Sequence, residues 1–391
     1  MGMNSRPKSI KVCMISYLHD LYDDRIYWKE SLSLKKNGYD VCCIGITQKP
    51  VSKINDHGIK IIGITKPNYN GIIGKVKMLF SSKSIFYDII KIAEQEKADV
   101  YHIHDFQLNK IGPKLKRLKH KPKVIYDVHE PYPITLTTTE NTNKYLNSLK
   151  RKVLNYWEKK MSKSYDMIIT TENNVANQFK KELPNKMISV IWNYSNLKPV
   201  NIPKKTFDFI YCGSLMKRRG AYEMIRAVIM LKERGFDPTI LILGNIFDEE
   251  LRNDIIKLID TNKLKNNIKI LSQVPYNDVS RYYGQSRFSL ALFKNIEVNR
   301  IIMPIKIFEY ISMQLPVICS SFGYMNEITK RYKTGITVNP ENIKEIANAM
   351  EKLMTDEKLA LRLKENCKNA ASEFNWNKME NKLLDLYENL F

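Results

Sequence analysis

The chain has 391 residues, 43% of them hydrophobic and 27% charged, and a formal net charge of +22. That length accommodates two domains, and the lack of any apolar run of about 18 residues excludes a helix that spans a bilayer. The six cysteines form no CxxC pair, which argues against zinc and points to reduced thiols in a cytosolic setting.

The first 18 residues place Lys8 and Lys11 beside a short apolar run that stops at His19 and Asp20. With no small-residue cleavage site, this reads as a first strand, Ile10–Ser16, and not as a leader; Gly2 sits in a poor myristoylation context. The loop that follows, YLHDLYDDRIYWKE from Tyr17, carries His19, Asp20, Asp23, Asp24 and Arg25. It has no GxGxxG, which disfavours a dinucleotide. Asp23 and Asp24 are either site residues or caps of a helix predicted over Asp24–Lys36.

Further strands are predicted at Asp40–Ile46, Lys60–Ile64, Val100–His104, Lys123–Val128, Met167–Thr170 and Ile188–Trp192, with a helix over Ile73–Glu96. Two of these strands end unusually. DVYHIHD puts His102 and His104 on one face by alternation and ends in Asp105. VIYDVHEPYP ends in His129 and Glu130, where α/β sheets place catalytic groups. A single histidine at a strand end is usually structural, but three of the six histidines, His102, His104 and His129, lie in these two ends.

Residues 1–200 hold 34 Lys and Arg against 18 Asp and Glu, a net of +16 that leaves +6 for the remainder. The bias points to a polyanionic neighbour, whether nucleic acid, an anionic membrane face or a phosphorylated substrate, unless it is compositional drift. It is concentrated in LKRLKHKPK from Leu115 and in KYLNSLKRKVLNYWEKKMSK from Lys144. The latter is an amphipathic helix whose apolar stripe faces either a membrane surface or the core, and both readings stand.

After a Pro-containing linker, Asn193–Thr206, a second alternating series begins. Its strands are predicted at Asp208–Cys212, Thr239–Leu243, Ile268–Leu271, Phe288–Leu292, Pro316–Cys319 and Gly335–Val338. Helices follow at Tyr222–Arg234, Glu249–Thr261, Asp278–Tyr283 and Glu341–Met354, then a helical tail from Asp356. The fold class is α/β: two Rossmann-like, doubly wound domains, with ligands expected between them at the carboxyl ends of the strands.

Two segments here are suited to an anionic ligand. In YCGSLMKRRGAY, Gly213 permits a sharp turn and Lys217, Arg218 and Arg219 precede a helix start whose N–H groups favour anions; the plain alternative is a solvated basic loop. In FKNIEVNRIIMPIKIFEY, Arg300 lies near Lys306 and Glu309, which share a helix face. An exposed ion pair is disfavoured there because Ile305, Ile307 and Phe308 make the other sides apolar.

Taken in order, DDRI, ADVYHIHD, IYDVHEPYP, GSLMKRRG, MPIKIFEY and LPVICS resemble the GT-B glycosyltransferases of family 4. The resemblance implies an acceptor domain over 1–197, a nucleotide-sugar donor domain over 198–374, and a C-terminal helix, 375–391, crossing back to the first domain. Glu309 matches the family's ribose-holding glutamate, Arg219 before Gly220 its phosphate-binding lysine, and His129 its cleft histidine. The implied donor set is Gly213, Ser214, Lys217, Arg218, Arg219, Gly220, Arg300, Lys306 and Glu309. The acceptor set is His19, Arg25, His104 and Asp105, with His129 as the central catalytic residue and Glu130 or Asp24 as the base of an inverting route.

The chain departs from the family where Ile301 replaces the first of two paired glutamates, Ser214 replaces an arginine, and the His19–Arg25 loop replaces a Gly-rich one. The expected activity is retaining, metal-independent transfer from a UDP-sugar or GDP-sugar, with no cofactor, to a glycan or polyprenyl-linked acceptor in surface polysaccharide synthesis. The expected place is the cytoplasm, peripheral on the inner face of the membrane through the basic first domain, with no nucleic-acid partner. A sugar-nucleotide epimerase on the same fold and a polyanion-binding protein are the alternatives.

Overall fold

The computed structural model describes residues 9–65, 72–138 and 144–391; the expectations for Gly2 and Lys8 lie outside them. The chain divides into two compact units, one of Met1–Asn193 with Met379–Phe391, the other of Tyr194–Lys378.

The first unit is built on strands β1 (Lys11–Ile15), β2 (Asp40–Thr47), β3 (Val51–Ile54), β4 (Lys60–Thr65), β5 (Val100–Ile103), β6 (Lys123–Val128), β7 (Met167–Thr170) and β8 (Met187–Val190). Their order is β3-β4-β2-β1-β5-β6-β7-β8, parallel throughout except for β3 on β4. Strands covered on both faces read as unbroken apolar runs, and Val12–Ile15 and Val100–Ile103 are buried throughout. β3 was not predicted: Ser52, Lys53 and Ile54 of this short edge strand are exposed, so no burial pattern marks it.

Between β1 and β2 the chain coils as a π-helix, Ile26–Ser31, continued by an α-helix, Leu32–Lys36. Asp23 Oδ1 accepts from the N–H groups of Arg25 and Ile26 at 2.9 and 3.0 Å, so Asp23 is the cap at this helix start. The wide turn, closed by Glu30 N–H donating to Arg25 O at 2.9 Å, belongs to a rare class that recurs at functional sites. In this turn Arg25, Lys29 and Glu30 are all buried.

The second unit has six parallel strands: β9 (Phe207–Cys212), β10 (Ile240–Leu243), β11 (Ile268–Leu271), β12 (Ser286–Ala291), β13 (Val317–Ser320) and β14 (Gly335–Val338). Their order is β11-β10-β9-β12-β13-β14. The tail forms helices Glu357–Ala371 and Trp376–Glu388. The second of these starts in one unit and ends in the other, where Tyr387 is fully buried. A helix over Gly323–Tyr332 had no predicted counterpart; one glycine opens it and half its residues are polar or charged.

Candidate active site

In the first unit the site forms where three neighbouring strands, β1, β5 and β6, end. The register pairs His102 with Ile125, so period-2 alternation puts His102, His104, Asp127 and His129 on one face of the sheet. Asp105 is fully buried. Its Oδ2 accepts from the backbone of Tyr17 (2.5 Å) and Leu18 (2.9 Å), and its Oδ1 lies 2.9 Å from His19 Nδ1. Burial would raise this carboxyl, but His19 and the two N–H groups outweigh it and hold it at about 2. Burial in turn disfavours a charged His19, yet Asp105, with Asp23 and Asp24, lifts it to about 9.

A chain of imidazoles runs inward from there. His19 Nε2 lies 3.4 Å from His129 Nδ1, and His129 Nε2 lies 3.2 Å from His104 Nδ1. His104 stacks on His102, whose Nδ1 is 2.8 Å from Tyr387 Oη. A protonated His19 can only donate, so His129 accepts at Nδ1 and donates from Nε2 to His104. Burial, with His19 and Arg25 nearby, holds His129 neutral at about 3 despite Asp127. Burial likewise lowers His102 to about 4 and His104 well below the ordinary range.

Arg25 braces this chain from beneath. Its Nε and Nη2 donate to Asp127 Oδ2 at 2.9 and 2.8 Å, and its Nη1 donates to Ile191 O at 2.9 Å. Nη2 also lies 3.0 Å from Glu30 Oε1. Burial would raise Asp127 too, but Arg25 and the histidines bring it to about 2, while burial and Asp127 push Glu30 far above the carboxylate range. Arg25 and Asp127 are therefore the charged pair, with Glu30 protonated beside them. Glu30, His102, His104 and Asp127 offer ligand atoms within 4.8 Å of one another and could hold a metal ion, in a place where Arg25 already supplies a cation.

These contacts change the expected roles of several residues. Arg25, expected to meet an acceptor, is only 1% exposed and has its guanidinium engaged internally. His104 and Asp105 are also fully buried and stand behind His129 and His19. Asp24, a candidate base, is ion-paired with Lys29 at 3.0 Å; burial would raise it, but Lys29 lowers it overall, which weakens it as a base. His19 and His129 are half-buried and Glu130 is exposed, so these three can reach a ligand. Lys29, Glu30 and Asp127 were missed, although the parity of 127 with 129 in IYDVHE signals Asp127.

In the second unit, β9 ends at Cys212 and the chain turns at Gly213, whose φ of 122° disfavours any side chain. A Cβ there would stand 3.2 Å from Lys306 Nζ and 3.7 Å from Arg219 Nη1. After the 3-10 turn Lys217–Arg219, Gly220 (φ 74°) opens the helix Ala221–Glu233 against β12, where a Cβ would collide with the Leu292 carbonyl. Lys306 and Glu309 lie on the helix Ile305–Ser312 and both are buried, in contrast to an exposed ion pair.

Lys306 Nζ sits 4.0 Å above the Tyr211 ring and 5.2 Å from the Phe293 ring. Among the described residues it has no hydrogen-bond partner. Burial, then the neighbouring Arg219 charge, lowers it to about 7. Arg219 Nη1 donates to Ser214 O at 3.3 Å, and Glu309 Oε2 accepts from Tyr283 Oη at 2.7 Å. Two expected donor residues stand in other contacts: Lys217 pairs with Glu250 at 2.9 Å, and Arg300 is exposed and donates to Asn295 at 2.6 Å.

Residues 195–370 match the family Glycosyl transferases group 1, and residues 30–197 match Glycosyltransferase Family 4. The chain is 24% identical over 409 aligned positions to a UDP-Gal:alpha-D-GlcNAc-diphosphoundecaprenol alpha-1,3-galactosyltransferase of Escherichia coli, covering 98% of each. It is 26% identical over 157 residues to the alpha-D-kanosaminyltransferase of Streptomyces kanamyceticus, covering 40% of this chain and 39% of that one. Among solved structures, sucrose-phosphate synthase of Thermosynechococcus elongatus has a similar fold, with a TM-score of 0.74 at 15% identity over 98% of this chain and 99% of that one. Anabaena HepE in complex with UDP-glucose gives a TM-score of 0.70 at 12% identity, over 97% and 100%.

Proposed function

The chain belongs to the group 1 glycosyltransferases of GT-B fold, and on that premise we propose that it moves a sugar from a UDP-sugar or GDP-sugar to a lipid-linked glycan, with retention and without a metal. The observation that carries the donor assignment is Lys306, a buried amine with no hydrogen-bond partner among the described residues, beside Arg219 at the Gly213 turn. Such a group lacks an anion, and a diphosphate supplies one. Glu309, which accepts from Tyr283, is the residue this reading assigns to the ribose hydroxyls. The lipid-linked acceptor is supported by the E. coli relative, whose name specifies a diphosphoundecaprenol acceptor. A uridine donor is supported by the UDP-glucose complex of HepE.

In the reaction, the bond from sugar C1 to the diphosphate oxygen breaks as the acceptor hydroxyl oxygen bonds to C1. The hydroxyl proton passes to the leaving phosphate oxygen on the same face. Lys306, Arg219 and the N–H groups at the start of the Ala221–Glu233 helix stabilise the departing charge. His129 has both ring nitrogens occupied by other histidines. It therefore has no free nitrogen to take the acceptor proton, and its chain of histidines holds it fixed as part of the wall of the site. The same reading puts the protein in surface polysaccharide synthesis at the cytoplasmic face of a membrane, which no helix among the described residues is long and apolar enough to cross.

The test is calorimetric titration of UDP, GDP and their sugars, followed by product analysis with and without a polyprenyl-diphosphate sugar acceptor. The reading predicts submillimolar binding that is lost in Arg219→Ala and weakened in Glu309→Gln, with transfer only when acceptor is present. A changed sugar formed from donor alone would assign an epimerase instead. Full activity in both variants would overturn the site.

A further inference from the structure

The helix Lys144–Ser162 turns the wrong side to solvent for a protein core. Tyr145, Leu146, Leu149, Val153, Tyr156 and Trp157 are between 49% and 82% exposed. At 100° per residue they fall within one third of the helix circumference, and at ~1.5 Å per residue the stripe runs for about 18 Å. The opposite side is fastened to the unit by polar contacts. Glu158, 4% exposed, accepts from Tyr126 Oη at 2.9 Å, Ser162 is fully buried, and Arg151 Nε donates to Thr137 Oγ1 at 3.0 Å. Lys159, also buried, pairs with Glu182. An ordinary amphipathic helix buries its apolar stripe and exposes its charges. This one keeps its apolar stripe outside and turns Glu158 and Lys159 inward, which leaves a contiguous apolar patch that marks an interaction surface.

Charge decides what covers the patch. Lys150, Lys152, Lys160 and Lys163 are exposed on and beside the stripe, and Lys160 Nζ lies 5.6 Å from the Tyr156 ring centroid. The only acidic residue from 144 to 163 is Glu158, which faces inward. A second copy of the chain would set lysines against lysines. An anionic lipid surface meets both features: apolar side chains enter the headgroup boundary, amphipathic Tyr and Trp rings settle there, and long lysines reach the phosphates.

We infer that the exposed face of this helix is the seat of the protein on an anionic bilayer, with Leu149, Val153, Tyr156 and Trp157 inserted and the flanking lysines on the headgroups. The inference takes its lipid setting from the lipid-linked acceptor reading, and its residues from exposure and charge.

The experiment is co-sedimentation of the full chain with vesicles of phosphatidylcholine alone or mixed with phosphatidylglycerol, at low and high salt. The wild type should bind only the mixed vesicles, less at high salt. Leu149→Ser with Tyr156→Ser should weaken binding by about tenfold or more. Lys150→Gln with Lys152→Gln and Lys160→Gln should weaken it at low salt and flatten the salt dependence. Tryptophan emission of the wild type should shift to the blue on vesicles, and the shift should vanish in Trp157→Phe.

Wild type that ignores both vesicles, or variants that bind as wild type does, would overturn the inference. A concentration-dependent dimer dissolved by the serine pair and unaffected by vesicles would instead assign the face to a second copy. Nucleotide-sugar titration of the same samples separates the two readings. Retained donor binding with no vesicle binding removes only the membrane seat, and vesicle binding without any nucleotide binding removes only the transferase site.

Discussion

The two units treat buried charge in opposite ways. In the first, the charges are answered from within: Arg25 by Asp127, Lys29 by Asp24, His19 by Asp105. In the second, Lys306 is buried with aromatic rings about it and a repelling Arg219 beside it. A cluster that satisfies itself fixes geometry, because removing any member strands another charge. A buried cation without a hydrogen-bond partner among the described residues is the feature on which the proposed donor site rests. On the proposed function, the first unit would be a pre-set frame for the residues that face a sugar acceptor, and the second a receptor for the donor's diphosphate.

The largest test of that contrast is Arg25→Ala. It should cost about 3–5 kcal/mol of stability by leaving Asp127 unpaired in the interior, read as a lower urea midpoint. Arg25→Met with Asp127→Leu should recover much of the loss. Lys306→Met should do the reverse. Stability should hold or rise, because a poorly solvated charge is gone, while nucleoside diphosphate affinity should fall by roughly 30–100-fold. Calorimetry and thermal unfolding on one sample check both.

Acid should separate the units next. His102 and His129 have folded values near 4 and 3 against an ordinary 6.5, so the unfolded chain takes up their protons first. Stability from keeping them neutral is complete above 6.5 and is lost as pH falls through that window toward the folded values. The melting temperature of the wild type should drop between pH 6.5 and 4, less steeply in His102→Gln. Lys306 gives the opposite window in binding. Below about 7 it is charged and ready for a diphosphate; above about 7 the free protein must take up a proton to bind. Affinity should then fall by up to about tenfold per pH unit, with proton uptake visible as a dependence of binding heat on buffer.

The smallest expected effect is of chelation. Dialysis against EDTA should leave transfer unchanged, since Arg25 holds the positive charge at Glu30 and Asp127. Loss of activity restored by a divalent cation would instead make Glu30, His102, His104 and Asp127 a metal site.

Most strands were legible because each is a local fact. A strand buried on both faces reads as an apolar run, as in β6 and β7, which have the predicted limits; the partly buried β11 and β14 have them too. β3 escaped because its side chains are exposed, and the Gly323–Tyr332 helix because its pattern is weak. At the site, His129, Arg219, Lys306 and Glu309 stood out through motif spacing. Their environments did not. Whether the Lys144–Ser162 stripe faced core or solvent could not be read from its amphipathicity, which is the same in either orientation.

The sequence by itself determined the α/β alternation, the two-unit division, the resemblance to family 4, and the gathering of histidines at two strand ends. Periodicity and short motifs carry that information within about 20 residues. Only the tertiary structure decided which charges are answered. Arg25 finds Asp127 across 102 positions, Lys29 finds Asn193 across 164, and His102 finds Tyr387 across 285. Pairings at such separations depend on strand order and on where the last helix returns, and no local pattern encodes them. The same tertiary packing leaves Lys306 without a partner among the described residues and turns the stripe of the Lys144–Ser162 helix outward.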